Sequence, residues 1–91
     1  MIKVRKLVWD DWNEEHILRH GVNREEVEDV CFSKHLNFKS GLSKQAVWGQ
    51  TSAGRYIIII LGVRNYGIFY PVTARIMDER EKRQYKKWQR R

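Results

Sequence analysis

The spacing of apolar positions changes twice along this chain. Val4 to Trp9 holds Val4, Leu7, Val8 and Trp9 and predicts a short edge strand. The stretch Asp10-Asp11-Trp12-Asn13 then offers several helix N-caps, and a short helix is expected over Glu14 to His20. Gly21 is placed to stop it in the left-handed conformation. The next helix has a fuller signature. Asn23 caps it, Glu26 stands at N3 to complete a capping box, and Val22 and Val27 are spaced as a hydrophobic staple. Val27, Val30 and Cys31 follow as one apolar stripe, and the helix should end near Phe32.

From Leu36 the period moves toward two. Leu36 to Lys39 reads as a weak strand, Ser40 to Ser43 as a loop, and Ala46 to Thr51 as a strand closed by the tight turn Ser52-Ala53-Gly54. Arg55 to Val63 is the strongest strand. Its isoleucines at 57–60 suggest a central position covered on both faces. Arg64 to Gly67 forms the next turn. Ile68 to Arg75 is a strand interrupted by Pro71, which lacks an N–H and implies an edge or a bulge. Asp78 caps a final helix with Glu81 at N3. This helix runs to about Gln89, with Tyr85 and Trp88 as its packing face. The expectation is one α+β domain over residues 1–91: an N-terminal strand, two short helices, an antiparallel sheet of about four strands, and a basic C-terminal helix.

Composition supports a folded domain. Of 91 residues, 42% are hydrophobic and four are Trp, which excludes disorder over most of the length. The longest apolar run, Tyr56 to Leu61, is too short to span a bilayer. The start, Met1-Ile2-Lys3-Val4-Arg5-Lys6, lacks the apolar core of a signal peptide. Cys31 is the one cysteine, so no internal disulfide forms. A cytoplasmic protein without membrane attachment is the expectation.

Charge adds more. The net is +7, but residues 1–33 hold five Lys/Arg against eight Asp/Glu, a net of −3. Residues 34–91 hold thirteen against three, a net of +10. A basic half of this size attracts polyanions, among which nucleic acid is the commonest in a cytosol.

Candidate chemistry is narrower. His16 and His20 share a helix face at i, i+4 spacing, with Cys31 and His35 further on, but there is no HExxH and no cysteine pair. A metal site is not expected, and no cofactor motif is present. Cys31 sits in an apolar stripe, where cysteine behaves as a small hydrophobe. The basic residues remain. Arg80, Lys82, Arg83, Lys86, Lys87, Arg90 and Arg91 crowd the last helix and tail, Arg75 ends the strand before it, Arg55 and Arg64 lie at the ends of the isoleucine strand, and Lys44 precedes the hairpin. A basic helix is commonly just a solvated face. Arginines fixed on strands suit phosphate better, because their planar fork matches phosphate oxygens. Tyr56, Tyr66, Tyr70 and Tyr85 offer aromatic faces for bases or a hydroxyl for proton transfer; for Tyr85 core packing is favoured.

Three blocks, "WDDWNEEHILRHGVNREEVEDV", "GQTSAGRYIIII" and "YPVTARIMDEREKRQYKKW", resemble the BrnT family of bacterial toxins, within the broader RelE-like superfamily. The resemblance implies a RelE-like fold and the toxin of a type II toxin–antitoxin system, a ribonuclease that arrests translation. It implies a BrnA-like antitoxin partner with a ribbon-helix-helix domain, through which alone operator DNA is reached. The matching positions are His16, His20, Arg55, Arg75 and the Glu81 and Tyr85 pair.

Such a nuclease needs no metal. The ribose 2′-hydroxyl loses a proton and attacks phosphorus in line, leaving a 2′,3′-cyclic phosphate. The assigned roles are Arg75 and Arg55 for the developing charge, His20 or Glu81 as base, and Tyr85 or a histidine as acid. Lys44, Arg64, Arg80, Arg83, Lys86 and Lys87 would grip RNA. The spatial expectation is that Arg55 and Arg75 meet on one wall of the sheet. The alternatives are a non-catalytic nucleic-acid-binding module, a catalytically silent toxin homologue, and an interface for an acidic protein. The strand Val4–Trp9 would offer an edge for a second copy or the antitoxin.

Overall fold

The computed structural model describes residues 1–91. The order is β1 (Lys6–Leu7), α1 (Asp11–Arg19), α2 (Arg24–Cys31), β2 (Leu36–Gly41), β3 (Lys44–Gln50), β4 (Tyr56–Asn65), β5 (Ile68–Ile76) and α3 (Glu79–Gln89). The strands form one sheet in the order β1-β5-β4-β3-β2. The α+β class is as expected, with two differences. The sheet has five strands rather than about four, and β1 runs parallel to β5. The long path from β1 through both helices and three strands makes that parallel return possible.

Each helix starts where its side chains satisfy the free backbone N–H groups. Asp10 and Asn13, Asn23 and Glu26, and Asp78 and Glu81 form three reciprocal capping boxes. The first lies earlier than expected, so α1 begins at Asp11 rather than Glu14. Asn13 does more than cap. Its side chain is buried, and its Nδ2 donates to the carbonyls of Val8 and Pro71 at 3.0 and 3.1 Å, which ties α1 to the β1 end and to β5.

The isoleucine run is covered on both sides, as expected. Ile57, Ile59 and Leu61 face α1 and α2, joining Ile17, Val22, Val27, Val30 and Cys31 in the main core. Ile58 faces the other way, where it meets Met77 and Tyr85 in a smaller cluster under α3. Gly49 lets α2 approach β3, because a Cβ there would lie 2.4 Å from Val30 Cγ1. Pro71 produces the expected bulge. The β4–β5 register shifts between Ile60, opposite Thr73, and Leu61, opposite Pro71. The strand is not an edge there by sequence order, but β1 pairs only with Ile68 and Phe69, so no ladder bond is required of Pro71 on that side.

The Val4–Trp9 strand contracts to the two residues of β1. The other edge is β2, six residues long, whose last four positions are exposed. No helix is long and apolar enough to cross a membrane.

Candidate functional site

Pairing register fixes which side chains share a face of the sheet. One row across the α3 side reads Leu36, Trp48, Ile58, Arg75, from β2 to β5. The next reads Phe38, Ala46, Ile60, Thr73. A third holds Lys44, Gly62 and Tyr70. Helix α3 covers only the first of these rows. It lays Tyr85 and Trp88 over Ile58, Trp48 and Leu36.

Arg75 stands at the β5 end of the first row, opposite Ile58. Its two terminal nitrogens each donate to one oxygen of Glu81, both at 2.7 Å. The Glu81 hydrogen bond holds Arg75 above its ordinary pKa, and Arg75 in turn pulls the Glu81 carboxyl below its ordinary value. Glu81 Oε1 also accepts from the Asp78 backbone N–H, so the first turn of α3 positions the carboxylate. Tyr56, on the same face, has Lys86 Nζ 5.3 Å and Lys82 Nζ 6.0 Å from its ring centre. An arginine, a carboxylate, a phenol and two ammonium groups therefore surround the junction of β4, β5 and α3.

Tyr85 does not belong to the exposed group. It is 2% exposed, packed between Tyr56 and Trp88, and burial raises its pKa. Tyr85, expected as a candidate acid, is thus held inside the smaller core cluster.

Arg55 does not meet Arg75 on one wall. It precedes Ile57 by two positions and turns with it toward the α1–α2 side, where it donates to both oxygens of Glu26, at 2.7 and 2.9 Å, and to the Gly21 carbonyl at 2.8 Å. Strand alternation is the cause. Arg75 opposes Ile58, which faces α3, whereas Arg55 shares the parity of Ile57. Their backbones are close, on the order of 10 Å by strand spacing, but their side chains diverge around the same end of the sheet.

His16 lies on α1 and His20 caps it, on the face of the sheet that Arg55 also turns toward. His16 stacks on Trp12, with ring centres 4.8 Å apart, and His20 meets His16 edge-on at the same separation. His20 is the C-cap of α1, next to Gly21. No group of three or more His, Cys, Asp or Glu is gathered to hold a metal ion. Cys31 is buried, and desolvation pushes its thiol up to about 12, which makes it inert as a nucleophile.

The remaining cations divide. Lys44 lies on the α3 side, and Arg64 sits over the Tyr70 ring, 4.5 Å from its centre. Tyr70 donates to the Asp10 carboxylate at 3.0 Å, so this pair also anchors α1. Lys86 and Lys87 lie on opposite flanks of α3, one by Tyr56 and the other at a cleft. Arg80 and Arg83 are exposed on the side of α3 away from Tyr85 and line no cleft.

The cleft beside Lys87 escaped sequence reasoning. About 370 Å³ opens between α3 and β2–β3, lined by Leu36, Phe38, Trp48, Gln84, Lys87, Trp88 and Arg91. Phe38 and Trp48 are in edge-to-face contact at 5.7 Å. The available signal was a period-two spacing of Leu36 and Phe38 on a strand whose partner positions carry Trp48 and Ala46; only pairing makes them one wall.

No protein-family model matches the chain, and no curated protein does. Among solved structures, the ribonuclease toxin BrnT of Brucella abortus matches over 81% of this chain and 97% of its own, with a TM-score of 0.66 at 16% identity. The five-stranded α+β sheet, its two N-terminal helices and its C-terminal helix thus make this chain, in fold, a structural relative of the BrnT toxin.

Proposed function

We propose that this protein is the toxin of a type II toxin–antitoxin system, an endoribonuclease that cleaves RNA by 2′-hydroxyl attack and arrests translation. The observation that carries this reading is Arg75. Its guanidinium is exposed on the α3 face of the sheet, borne by β5 and paired with Glu81, near Tyr56 and two lysines. The likeness of fold to a ribonuclease toxin supports it.

The chemistry follows from the pair. Arg75 holds down the Glu81 pKa more than any other group does. When an RNA phosphate draws the guanidinium away, that restraint goes and Glu81 becomes a stronger base. Glu81 then takes the proton of the 2′-hydroxyl. The oxygen bonds to phosphorus, the phosphorus–O5′ bond breaks, and the electron pair leaves on O5′. Tyr56 supplies the proton that O5′ receives, and Lys82 and Lys86 stabilise the phenolate this leaves. Arg75 carries the added charge on the phosphoryl oxygens, the role in which a fixed donor contributes most. His20 and Arg55, on the other side of the sheet, take no part in this scheme and remain available to bind a distal stretch of RNA.

An antitoxin of the ribbon-helix-helix type would silence the protein by covering the α3 face with carboxylates or an apolar helix. The test is RNA incubated with the purified chain in chelator. Shortened RNA with 2′,3′-cyclic phosphate ends is expected. RNA left intact by the wild-type protein, with or without added divalent ions, overturns the reading. The second reading, a catalytically silent RNA-binding homologue, is favoured by one observation: both Arg75 nitrogens are already engaged by Glu81. It predicts retarded but uncut RNA.

A further inference from the structure

We propose that the cleft between α3 and β2–β3 is a subsite for one unpaired RNA base. The proposal rests on the functional reading above, because it places the base two strands from Arg75.

Three aromatic side chains face the cleft: Phe38 and Trp48 from the sheet and Trp88 from the helix. Phe38 is 46% exposed, opposite buried Ala46 on β3. An exposed aromatic ring next to a second ring at 5.7 Å is a surface on which a planar base can stack. The volume, about 370 Å³, lies within the range of small-ligand sites.

Charge selects the occupant. Lys87 and Arg91 line the cleft, Lys34 Nζ lies 5.5 Å from the Trp88 ring centre, and no carboxylate is among the lining residues. An apolar peptide would need no such cations at its rim, whereas a nucleotide needs a ring surface and a positive rim together. Gln84, also in the wall, supplies an amide that can pair with a base edge.

Position completes the argument. Trp48 and Arg75 are in one cross-strand row, with Ile58 between them. Two inter-strand steps separate them, about 10 Å. Tyr85 and Trp88 cover that row, so a strand of RNA whose phosphate reaches Arg75 would pass along the flank of α3 to set a nearby base into the cleft, which would fix the register of the scissile bond.

The experiment uses single-stranded 2′-O-methyl RNA, which lacks the attacking hydroxyl and cannot be cut, so binding is read apart from catalysis. Affinity is measured for wild type, Phe38→Ala and Phe38→Trp, each checked for native circular dichroism. Stacking of one base corresponds to roughly 5- to 150-fold in affinity. Phe38→Ala should weaken binding by that amount, and Phe38→Trp should restore it. The same oligomer carrying 4-thiouridine should crosslink to peptides containing Phe38, Trp48 or Trp88. Unchanged affinity of Phe38→Ala, or crosslinks found only elsewhere, overturns the subsite while cleavage of ordinary RNA still upholds the nuclease reading, and assigns the cleft to a protein partner. A wild-type chain that binds no RNA overturns the subsite as well.

Discussion

Arg75 and Glu81 are joined by two parallel hydrogen bonds of 2.7 Å, one from each terminal guanidinium nitrogen to each carboxylate oxygen. The pair links the end of β5 to the first turn of α3. Arg75 remains half exposed, whereas the Glu81 side chain is 17% exposed. So the cation is the member presented to a ligand, and the carboxylate orients it until a phosphate takes the carboxylate's place.

Replacing Arg75 by Ala should reduce RNA cleavage by about 10²- to 10³-fold, the effect of removing one charge-stabilising donor. The fold should barely notice. An exposed ion pair contributes about 0–1 kcal/mol, so the urea midpoint should move little. Cleavage rates and unfolding curves measured on the same preparation check both parts. Glu81→Gln should instead remove the limb of the pH–rate profile that reports the base.

Glu81 also sets a pH dependence of stability. Its folded pKa is depressed, chiefly by Arg75, below the ordinary 4.5. The stabilisation is therefore present above about pH 4.5 and lost as pH falls through the lower folded value. Thermal unfolding between pH 5 and 2 should show a shallower acid loss in Glu81→Gln than in wild type; the sign is set by the carboxylate being favoured in the fold.

His35 works in the same protonation sense, but its favoured deprotonated form is neutral rather than charged. It is buried, Nε2 accepts from the Ile2 N–H at 3.2 Å, and Nδ1 lies 2.8 Å from the Ser33 carbonyl. Only a neutral ring protonated at Nδ1 satisfies both partners. Burial lowers its pKa below 6.5, so its neutral form stabilises the fold above that value and the contribution is lost as pH falls. The melting temperature should drop between pH 7.5 and 5 in wild type, and His35→Gln should flatten that interval.

Gly49→Ala should destabilise by about 1–3 kcal/mol, the cost of an extra carbon in a packed core. The added Cβ would stand 2.4 Å from Val30 Cγ1. Because both changes address one contact, the double variant Gly49→Ala/Val30→Ala should lose less than the two single losses combined, measured by denaturant midpoint.

Asn13→Ala should cost about 1–3 kcal/mol, because it strips the buried carbonyls of Val8 and Pro71 of their donor. Arg55→Ala should behave differently from Arg75→Ala. It loosens the Gly21–Glu26 corner and should leave the cleavage rate within a few-fold of wild type. Equal losses of activity in the two arginine variants would contradict their separation across the sheet.

Local chemistry was legible before any coordinates. Two of the three capping boxes, the helix-stopping Gly21, the isoleucine strand, the turn at Gly54 and the bulge at Pro71 all follow from side chains acting on their own few residues of backbone. Element ends were less exact. The α1 cap lay at Asp10, since several acceptors in a row compete and only the buried Asn13 side chain settles which one wins.

The sequence by itself determined the α+β class, the core stripe of α2, the two-sided burial of β4 and the concentration of positive charge after residue 33. Tertiary structure alone decided that Arg55 and Arg75 point to opposite faces, that Tyr85 is sealed inside, that β1 joins β5 in parallel, and that Phe38, Trp48 and Trp88 form one wall. The reason is the range of the interactions. Caps, turns and periodicity are settled within a few residues. A strand's parity and register are set by distant partners, and a shift of one residue moves every side chain to the other face.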